Sequence, residues 1–197
     1  MQTLSKNYYV KQRIKMVVNH YEVFDDAEGK HLVAFAKQKG MKIKEEVTFY
    51  TDADANEVFF SFKATSALDI HGKNIIKDSK GNQIGYVQKD FKASLARSAW
   101  VVYDNNDTVV CRIQERSMHF AIIRRVWDFI PILGEFPLFG RVQFDYITPE
   151  GKVIGTYDRR WSLRDEYDVT FSEEAKALLD ARVAIASFIM LDALQNR

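Results

Sequence analysis

Short runs of Val, Ile, Tyr and Phe dominate residues 8–161, and within these runs polar and apolar positions partly alternate. Clusters of Asp, Asn and Gly interrupt the runs, and helical periodicity is scarce. β-Branched and aromatic residues that alternate with polar ones between turn formers are typical of β-strands. The pattern therefore predicts one meandering antiparallel sheet of about ten strands.

A turn device recurs four times between these runs, with a polar residue three positions before Gly or Asp. The four pairs are Asp26 and Gly29, Asp78 and Gly81, Asp104 and Asp107, and Thr148 and Gly151. Gly tolerates the left-handed backbone of a tight turn, and an Asp side chain can accept hydrogen bonds from the backbone that follows it. We therefore expect four hairpins, whose irregular spacing argues against a fixed-period repeat.

The C-terminal residues change to helical patterning. Ser172 is a candidate N-cap, Glu173 and Glu174 supply first-turn carboxylates, and no Gly or Pro follows. This predicts one helix of about six turns over residues 172–196. After Val183 its apolar residues cover nearly every face, so the helix must be surrounded. A sheet curled around it would bury it and remove the sheet edges, which predicts a mainly β single domain over residues 1–197.

Composition and charge narrow the functional classes. The 197 residues are 47% hydrophobic and carry a net charge of +1, without the basic excess expected of a nucleic-acid-binding protein. Residues 1–100 hold 16 basic and 12 acidic side chains, and residues 101–197 hold 12 and 15. The single cysteine, the absence of a signal-peptide pattern and the lack of an 18-residue apolar run predict a cytoplasmic protein without a transmembrane helix.

Catalytic and metal-binding patterns are not evident. The four histidines are scattered without metal-binding spacing, and Cys111 follows two valines in a predicted strand, where a buried thiol is the favoured interpretation. The stretch from Asp52 begins like an EF-hand loop, but Glu57 replaces the required glycine and Lys63 the bidentate glutamate. We expect no enzymatic activity, cofactor or metal.

Three acidic residues before the helix leave one alternative open. Asp165, Glu166 and Asp168 could offer oxygen ligands to a cation, although acidic residues ahead of a helix are also explained by its dipole.

Two segments mix arginines with aromatic residues. The first, residues 119–141, combines paired arginines with aromatic and aliphatic side chains, as membrane-interfacial elements do. It could contact a membrane or a partner, and the favoured alternative is an element that covers a barrel opening. The second, residues 159–164, could receive a phosphate or an anionic headgroup, and Lys37, Lys39, Lys42 and Lys44 form the densest basic stretch. A solvated strand and loop is the alternative for both basic segments.

The order and spacing of several segments resemble the LURP-one-related family, which is grouped with phospholipid scramblases and tubby C-terminal domains. The segments are residues 8–12 leading to residues 21–25, the hairpin at residues 76–85 followed by Gln88 and Lys89, and residues 164–169 followed by the apolar helix up to Asp192. The resemblance implies a twelve-stranded tubby-like β-barrel around a central hydrophobic helix. It implies much less about activity: among the related families, tubby domains bind phosphoinositide headgroups through surface Lys and Arg, and scramblases are membrane-associated.

Two functional hypotheses follow. The first is a non-enzymatic domain that binds anionic phospholipid headgroups or another membrane component peripherally, at the inner membrane face. Its headgroup candidates are Arg124, Arg125, Arg141, Arg159, Arg160, Arg164, Lys42 and Lys44, and its membrane or partner contact candidates are Trp127, Phe129, Ile130, Phe136 and Phe139. The alternative is a scaffold domain in which residues 120–139 dock a protein partner or a second copy of the chain.

Overall fold

A computed structural model of the chain describes residues 1–14, 18–39, 47–64, 72–90, 98–117, 143–160 and 166–195. Within them it contains twelve β-strands followed by two α-helices. The elements are β1 (Asn7–Ile14), β2 (Val18–Phe24), β3 (Leu32–Lys39), β4 (Val47–Tyr50), β5 (Val58–Ala64), β6 (Lys73–Asp78), β7 (Gln83–Lys89), β8 (Ala99–Asp104), β9 (Val109–Glu115), β10 (Gln143–Ile147), β11 (Val153–Arg159), β12 (Glu166–Phe171), α1 (Glu173–Leu178) and α2 (Ala181–Gln195).

The strands form a closed antiparallel barrel in which each strand pairs with its neighbours in the chain. The barrel closes where Tyr9 of β1 lies opposite Phe24 of β2 on one side and Asp168 of β12 on the other. Closure satisfies the hydrogen-bonding groups that an edge strand would expose. The expected antiparallel barrel is confirmed, with the twelve strands that the family resemblance implies.

The four predicted hairpin turns are also present. The carboxylate of Asp26 accepts hydrogen bonds from the backbone N–H groups of Glu28, Lys30 and His31. Asp78 and Asp104 do the same in their own turns. The residues that close the four turns have left-handed φ angles: Gly29 at 70°, Gly81 at 85°, Asp107 at 60° and Gly151 at 89°. Turn chemistry in the sequence thus predicted the local backbone correctly.

The C-terminal helix is interrupted, contrary to the single helix expected over residues 172–196. Ser172 caps α1 as expected, but Leu179 is extended and ends it. Asp180 then caps α2, because its side chain accepts from the N–H of Arg182 and its carbonyl from that of Ala184. An aspartate inside an apolar run can start a new helix, and the sequence analysis overlooked this signal.

The second helix fills the barrel. From Val183 to Leu191 every side chain of α2 is buried, which explains why its apolar residues face all directions. One buried polar contact links this helix to the wall, where the hydroxyls of Tyr146 and Ser187 lie 2.9 Å apart. Gly85 of β7 leaves room for the helix, since a Cβ there would lie 2.6 Å from the Tyr103 carbonyl oxygen and 3.3 Å from Val183.

The two rims of the barrel differ in their connections. The turns after β2, β4, β6, β8 and β10 and the chain leading into α1 all lie at one rim, here called the turn rim. The remaining strand ends lie at the other rim, because alternate connections of an antiparallel barrel fall at opposite ends. We call it the opposite rim. The connections that begin and end there include residues 40–46, 118–142 and 161–165.

Candidate anion-binding surface

Most residues proposed from the sequence belong to the opposite rim's connections. Arg159 and Arg160 are the two headgroup candidates within the described residues. The other candidates lie outside the described residues: Lys42, Lys44, Arg124, Arg125, Arg141 and Arg164 for headgroups, and Trp127, Phe129, Ile130, Phe136 and Phe139 for membrane or partner contact. The connections that contain them all begin and end at one rim, so the topology places their flanking strand ends together.

Arg160 forms a clamp on the outer surface of the barrel. Its Nε lies 2.7 Å from Oδ2 of Asp168, and its Nη2 lies 2.6 Å from Oδ1 of the same carboxylate. The guanidinium carbon stacks 3.9 Å from the centre of the Tyr9 ring. The hydrogen bonding of Arg160 to the Asp168 carboxylate, which accepts, is the main reason that the pKa of Arg160 is raised. The charge of Arg160 is therefore already matched by an acid of the same chain.

A small cavity of about 160 Å³ lies beside this clamp, lined by Tyr9, Lys11, Gln12, Arg13 and Glu166. Burial, and then a hydrogen bond with Glu166, raise the pKa of Tyr9. Glu166 and Asp168, suggested from the sequence as cation ligands, thus contact Tyr9 and Arg160, while Asp165 lies outside the described residues. In the described part of the chain no group of three or more His, Cys, Asp or Glu side chains could hold a metal ion.

Exposed lysines mark the outer faces of β3 to β7. Strand alternation, with the buried residues turned inwards, places Lys37 on β3, Lys63 on β5, and Lys73 and Lys77 on β6 on the outside. We call this surface the lysine wall. Within the described residues no carboxylate forms an ion pair with Lys37, Lys63 or Lys77.

Aromatic rings lie beneath part of the lysine wall. The Nζ of Lys37 is 5.4 Å from the centre of the Phe35 ring, and that of Lys73 is 4.2 Å from the centre of the Tyr86 ring. Asp107 also lies 3.8 Å from Lys73. Burial, and then a hydrogen bond with Asp107, raise the pKa of Tyr86 to about 12. The ammonium groups of Lys37 and Lys73 therefore lie within cation–π distance of these rings.

The outer faces of β9 to β12 carry cations that are paired instead. Arg112 meets Asp90 at 3.2 Å, Arg116 meets Asp145 at 2.5 Å and Asp158 at 3.5 Å, and Arg160 holds Asp168. We call this surface the paired wall. Arginine suits such pairing because its planar fork matches a carboxylate.

Two five-strand parts of the barrel, β3 to β7 and β8 to β12, differ in formal charge. Strands β3 to β7 contain six lysines against one acidic residue, a balance of +5, and that residue, Asp78, caps a turn. Strands β8 to β12 contain two arginines against six acidic residues, a balance of −4, which becomes −2 when Arg116 and Arg160, the residues that directly follow β9 and β11, are included. The lysine wall can attract an external anion, whereas the cations of the paired wall are matched internally.

The sequence analysis missed Lys63, Lys73 and Lys77 as site residues. The sequence shows an excess of basic residues in positions 1–100 and a dense group near Lys37. Alternation along neighbouring strands, which would place lysines from different strands on one outer face, was not considered. The signal was available, because four of the five strands from β3 to β7 carry lysines and only one acidic residue lies within the five. Only the pairing of the strands places these separated lysines on one face.

The largest described cavity is an open groove of about 700 Å³ on the outside of β7 to β9. Its floor includes Val101 and Val109, the Arg112–Asp90 pair lies along it, and the turn at Pro149 borders it. A third cavity of about 320 Å³ lies at the turn rim, beside Leu179 and Val183. None of these three cavities is lined by the four residues of the lysine wall.

Two other sequence interpretations can be compared with the structure. Cys111 is fully buried in β9, and burial raises the pKa of its thiol to about 12, as expected of a small core residue. The stretch from Asp52 forms a turn in which the Asp52 carboxylate accepts a hydrogen bond from Asn56. This hydrogen bond from the local backbone accounts for the aspartate at position 52.

The comparisons with known proteins concern most of the chain. The model of a family described as LURP-one-related matches residues 32–192, from the first residue of β3 into α2. No curated protein matches the chain at a significant level. Among the described residues, no helix is long and apolar enough to cross a bilayer.

Proposed function

This chain belongs to the LURP-one-related family, and on that premise we propose that it is a non-enzymatic domain that binds anionic phospholipid headgroups peripherally. The lysine wall is the primary contact, and the inner face of a membrane is its expected location. The arginines and aromatic residues predicted from the sequence in the connections of the opposite rim stay secondary contact candidates.

The charge difference between the two walls is the observation that carries this proposal. Lys37, Lys63 and Lys77 are exposed, and no described carboxylate pairs with them. Each basic residue near an anionic membrane contributes about 1 kcal/mol, so these three lysines would supply about 3 kcal/mol together. That is a reversible, salt-sensitive contribution, weaker than the marginal binding given by a single acyl chain, so the secondary contacts would have to add to it.

The chemistry of the barrel supports binding rather than catalysis. The helix α2 fills the barrel centre, where enclosed folds often hold a ligand. The buried thiol of Cys111 is a poor nucleophile because its pKa is raised to about 12. The described surface offers paired or solvated charges instead of convergent titratable groups.

Co-sedimentation with vesicles tests this function. We expect binding to vesicles that contain phosphatidylserine or phosphatidylglycerol, none to phosphatidylcholine alone, and loss of binding as salt rises from low to physiological concentration. A Lys63→Glu/Lys77→Glu variant should bind at least about 30-fold more weakly, because two contributions of about 1 kcal/mol are lost.

A matched control separates the wall from overall charge. Lys30→Glu/Lys152→Glu changes the net charge equally, but both lysines lie on turns of the turn rim, so binding should change little. An Arg124→Glu/Arg125→Glu variant tests the opposite rim separately. Absence of binding to every composition would refute the proposal and favour the scaffold hypothesis for residues 120–139, which a search for self-association by sedimentation would then test.

A further inference from the structure

We infer that the lysine wall recognises the charge of an anionic membrane as an extended surface and does not select one headgroup. This inference rests on the proposed function and concerns the manner of recognition. It is carried by the spacing of the lysines, the convex shape of the wall and the absence of a described cavity around them.

The strand registers set the spacing between the lysines. The β3–β4 register, continued by one residue from the Ala36–Phe49 pair, places Lys37 opposite Thr48. Thr48 lies opposite Ser61, and Ser61 lies opposite Lys77. Lys37 and Lys77 therefore stand on one row, three strand spacings or about 14 Å apart.

The other direction of the wall is equally extended. Lys73 and Lys77 are four residues apart on β6, a separation of about 13 Å. Lys63 lies opposite Ile75 between them, about 7 to 8 Å from each. The four ammonium groups thus cover a patch wider than the Debye length of about 8 Å at physiological salt, so its outermost members act on different anions.

The outer face of a barrel is convex, so neighbouring side chains that point outwards diverge. A stereospecific phosphate site instead needs convergent donors, such as an arginine fork or successive backbone N–H groups. None of the three described cavities is lined by Lys37, Lys63, Lys73 or Lys77. On this convex wall the long side chains of Lys37, Lys63 and Lys77 can each reach a separate lipid at a planar surface, whereas Lys73 is held by Asp107 and the Tyr86 ring.

The first test compares headgroups at equal surface charge. Vesicles of phosphatidylserine, phosphatidylglycerol or phosphatidylinositol 4-phosphate would be mixed with phosphatidylcholine and matched by electrophoretic mobility. We expect affinities equal within about twofold and a steep dependence on the mole fraction of anionic lipid, because several lysines must each meet a charge. Soluble glycerophosphoserine at the same total headgroup concentration should not displace the protein.

The second test asks whether the lysines act independently. Lys37→Ala and Lys77→Ala should each weaken binding about fivefold, and the double variant about 25-fold, since distant sites contribute additively. The same substitutions to arginine should retain binding, because only the charge is required.

The outcomes separate this inference from the proposed function. A preference of tenfold or more for one headgroup at matched charge, or one substitution that accounts for nearly all of the loss, would overturn the surface-charge inference while leaving membrane binding intact. Failure of the wild-type protein to bind any anionic vesicle would overturn both.

Discussion

The lysine wall and the paired wall are two parts of the same barrel surface, and strand alternation turns the side chains of both outwards. They differ in whether carboxylates of the chain neutralise their cations. On the paired wall Arg112, Arg116 and Arg160 each meet a carboxylate within 3.2 Å. On the lysine wall the one acidic residue within the strands, Asp78, is bonded to its own turn. Surface cations that are matched within the chain hold strands together, whereas cations without local acids leave a field that an external anion can use. Counting basic residues does not distinguish these cases.

The largest expected effect is the loss of the folded barrel when α2, the helix inside it, is disrupted. Neither wall would then form. Ile189 is 2% exposed inside the barrel, and Ile189→Asp would place an unpaired carboxylate among apolar side chains. The cost is several kcal/mol against a total stability of about 5 to 15 kcal/mol, so we expect no folded protein by circular dichroism. Ile189→Val should fold and unfold cooperatively. A soluble aspartate variant with a cooperative melt would contradict the central-helix architecture.

A smaller effect on the free energy of unfolding is expected at Asp180, which belongs to neither wall. Burial acts to raise the pKa of Asp180, but hydrogen bonds from Arg182 and from the N–H of Gln2 outweigh it, so the net pKa lies below the ordinary 3.8. Asp180→Ala removes the cap of α2 and leaves Arg182 without its acid, which should lower the free energy of unfolding by about 2 to 3 kcal/mol in urea titrations.

The pH dependence of this loss has a definite sign. A carboxyl whose folded pKa is lowered stabilises the protein fully above its unfolded pKa and loses that contribution as pH falls through the folded value. The difference between wild type and Asp180→Ala should therefore be constant near neutral pH and shrink below about pH 4. Asp180→Asn, which can still cap the helix, should lose less. Vesicle binding by folded Asp180→Ala should be unchanged, and a clear loss would show that the helix entry contributes to the contact.

The lysine wall can be made to resemble the paired wall with one substitution. Ile75 faces outwards opposite Lys63 and between Lys73 and Lys77. Ile75→Glu would place an acid beside Lys63 and Lys77, which pair with no described carboxylate, and we expect binding to anionic vesicles to weaken about fivefold, equivalent to the loss of about one basic residue. Ile75→Gln is the size-matched control and should bind like the wild type. Equal binding by the glutamate and glutamine variants would contradict a role for charge on this wall.

The smallest effect comes from releasing a cation on the paired wall. Asp145→Asn/Asp158→Asn leaves Arg116 without its two carboxylates. We expect binding to anionic vesicles to increase about two- to threefold, because one additional cation becomes available on a wall with few others. Stability should fall by no more than about 1 kcal/mol, as is usual for exposed ion pairs. Asp52→Asn/Asp54→Asn changes the net charge equally on a turn and should leave binding unaltered; a gain there would mean that net charge alone governs binding.

Local chemistry explains why most of the fold could be predicted. The Asp and Gly residues of the hairpins act within five residues of chain, so the turns at Asp26 and Asp78 were recognisable in isolation. The all-round apolar pattern after Val183 required a surrounding structure, which is the barrel. The break between the two helices at Leu179 and Asp180 was not predicted because no Gly or Pro lies there. There a cap and a partly buried ion pair outweigh helix propensity.

The candidate surface was less accessible to sequence reasoning. Arg160 was proposed as a headgroup ligand from its neighbours in the chain, and its partner Asp168 was considered as a cation ligand instead. Their clamp depends on the pairing of β11 with β12, which sets Asp168 opposite Asp158 and so brings it within reach of the Arg160 side chain. Lys63 and Lys77 went unnoticed because they lie on different strands and meet only through the β5–β6 register.

Local patterns in the sequence were enough to predict the antiparallel barrel, its hairpin turns and the apolar helix at its centre. Turn chemistry acts over a few residues, and a helix that is apolar on all faces must be buried. Tertiary structure alone decided which charges are neutralised and which face outwards together. That outcome depends on distances between side chains far apart in the chain, and those distances exist only once the strand registers and the closure of the barrel are set.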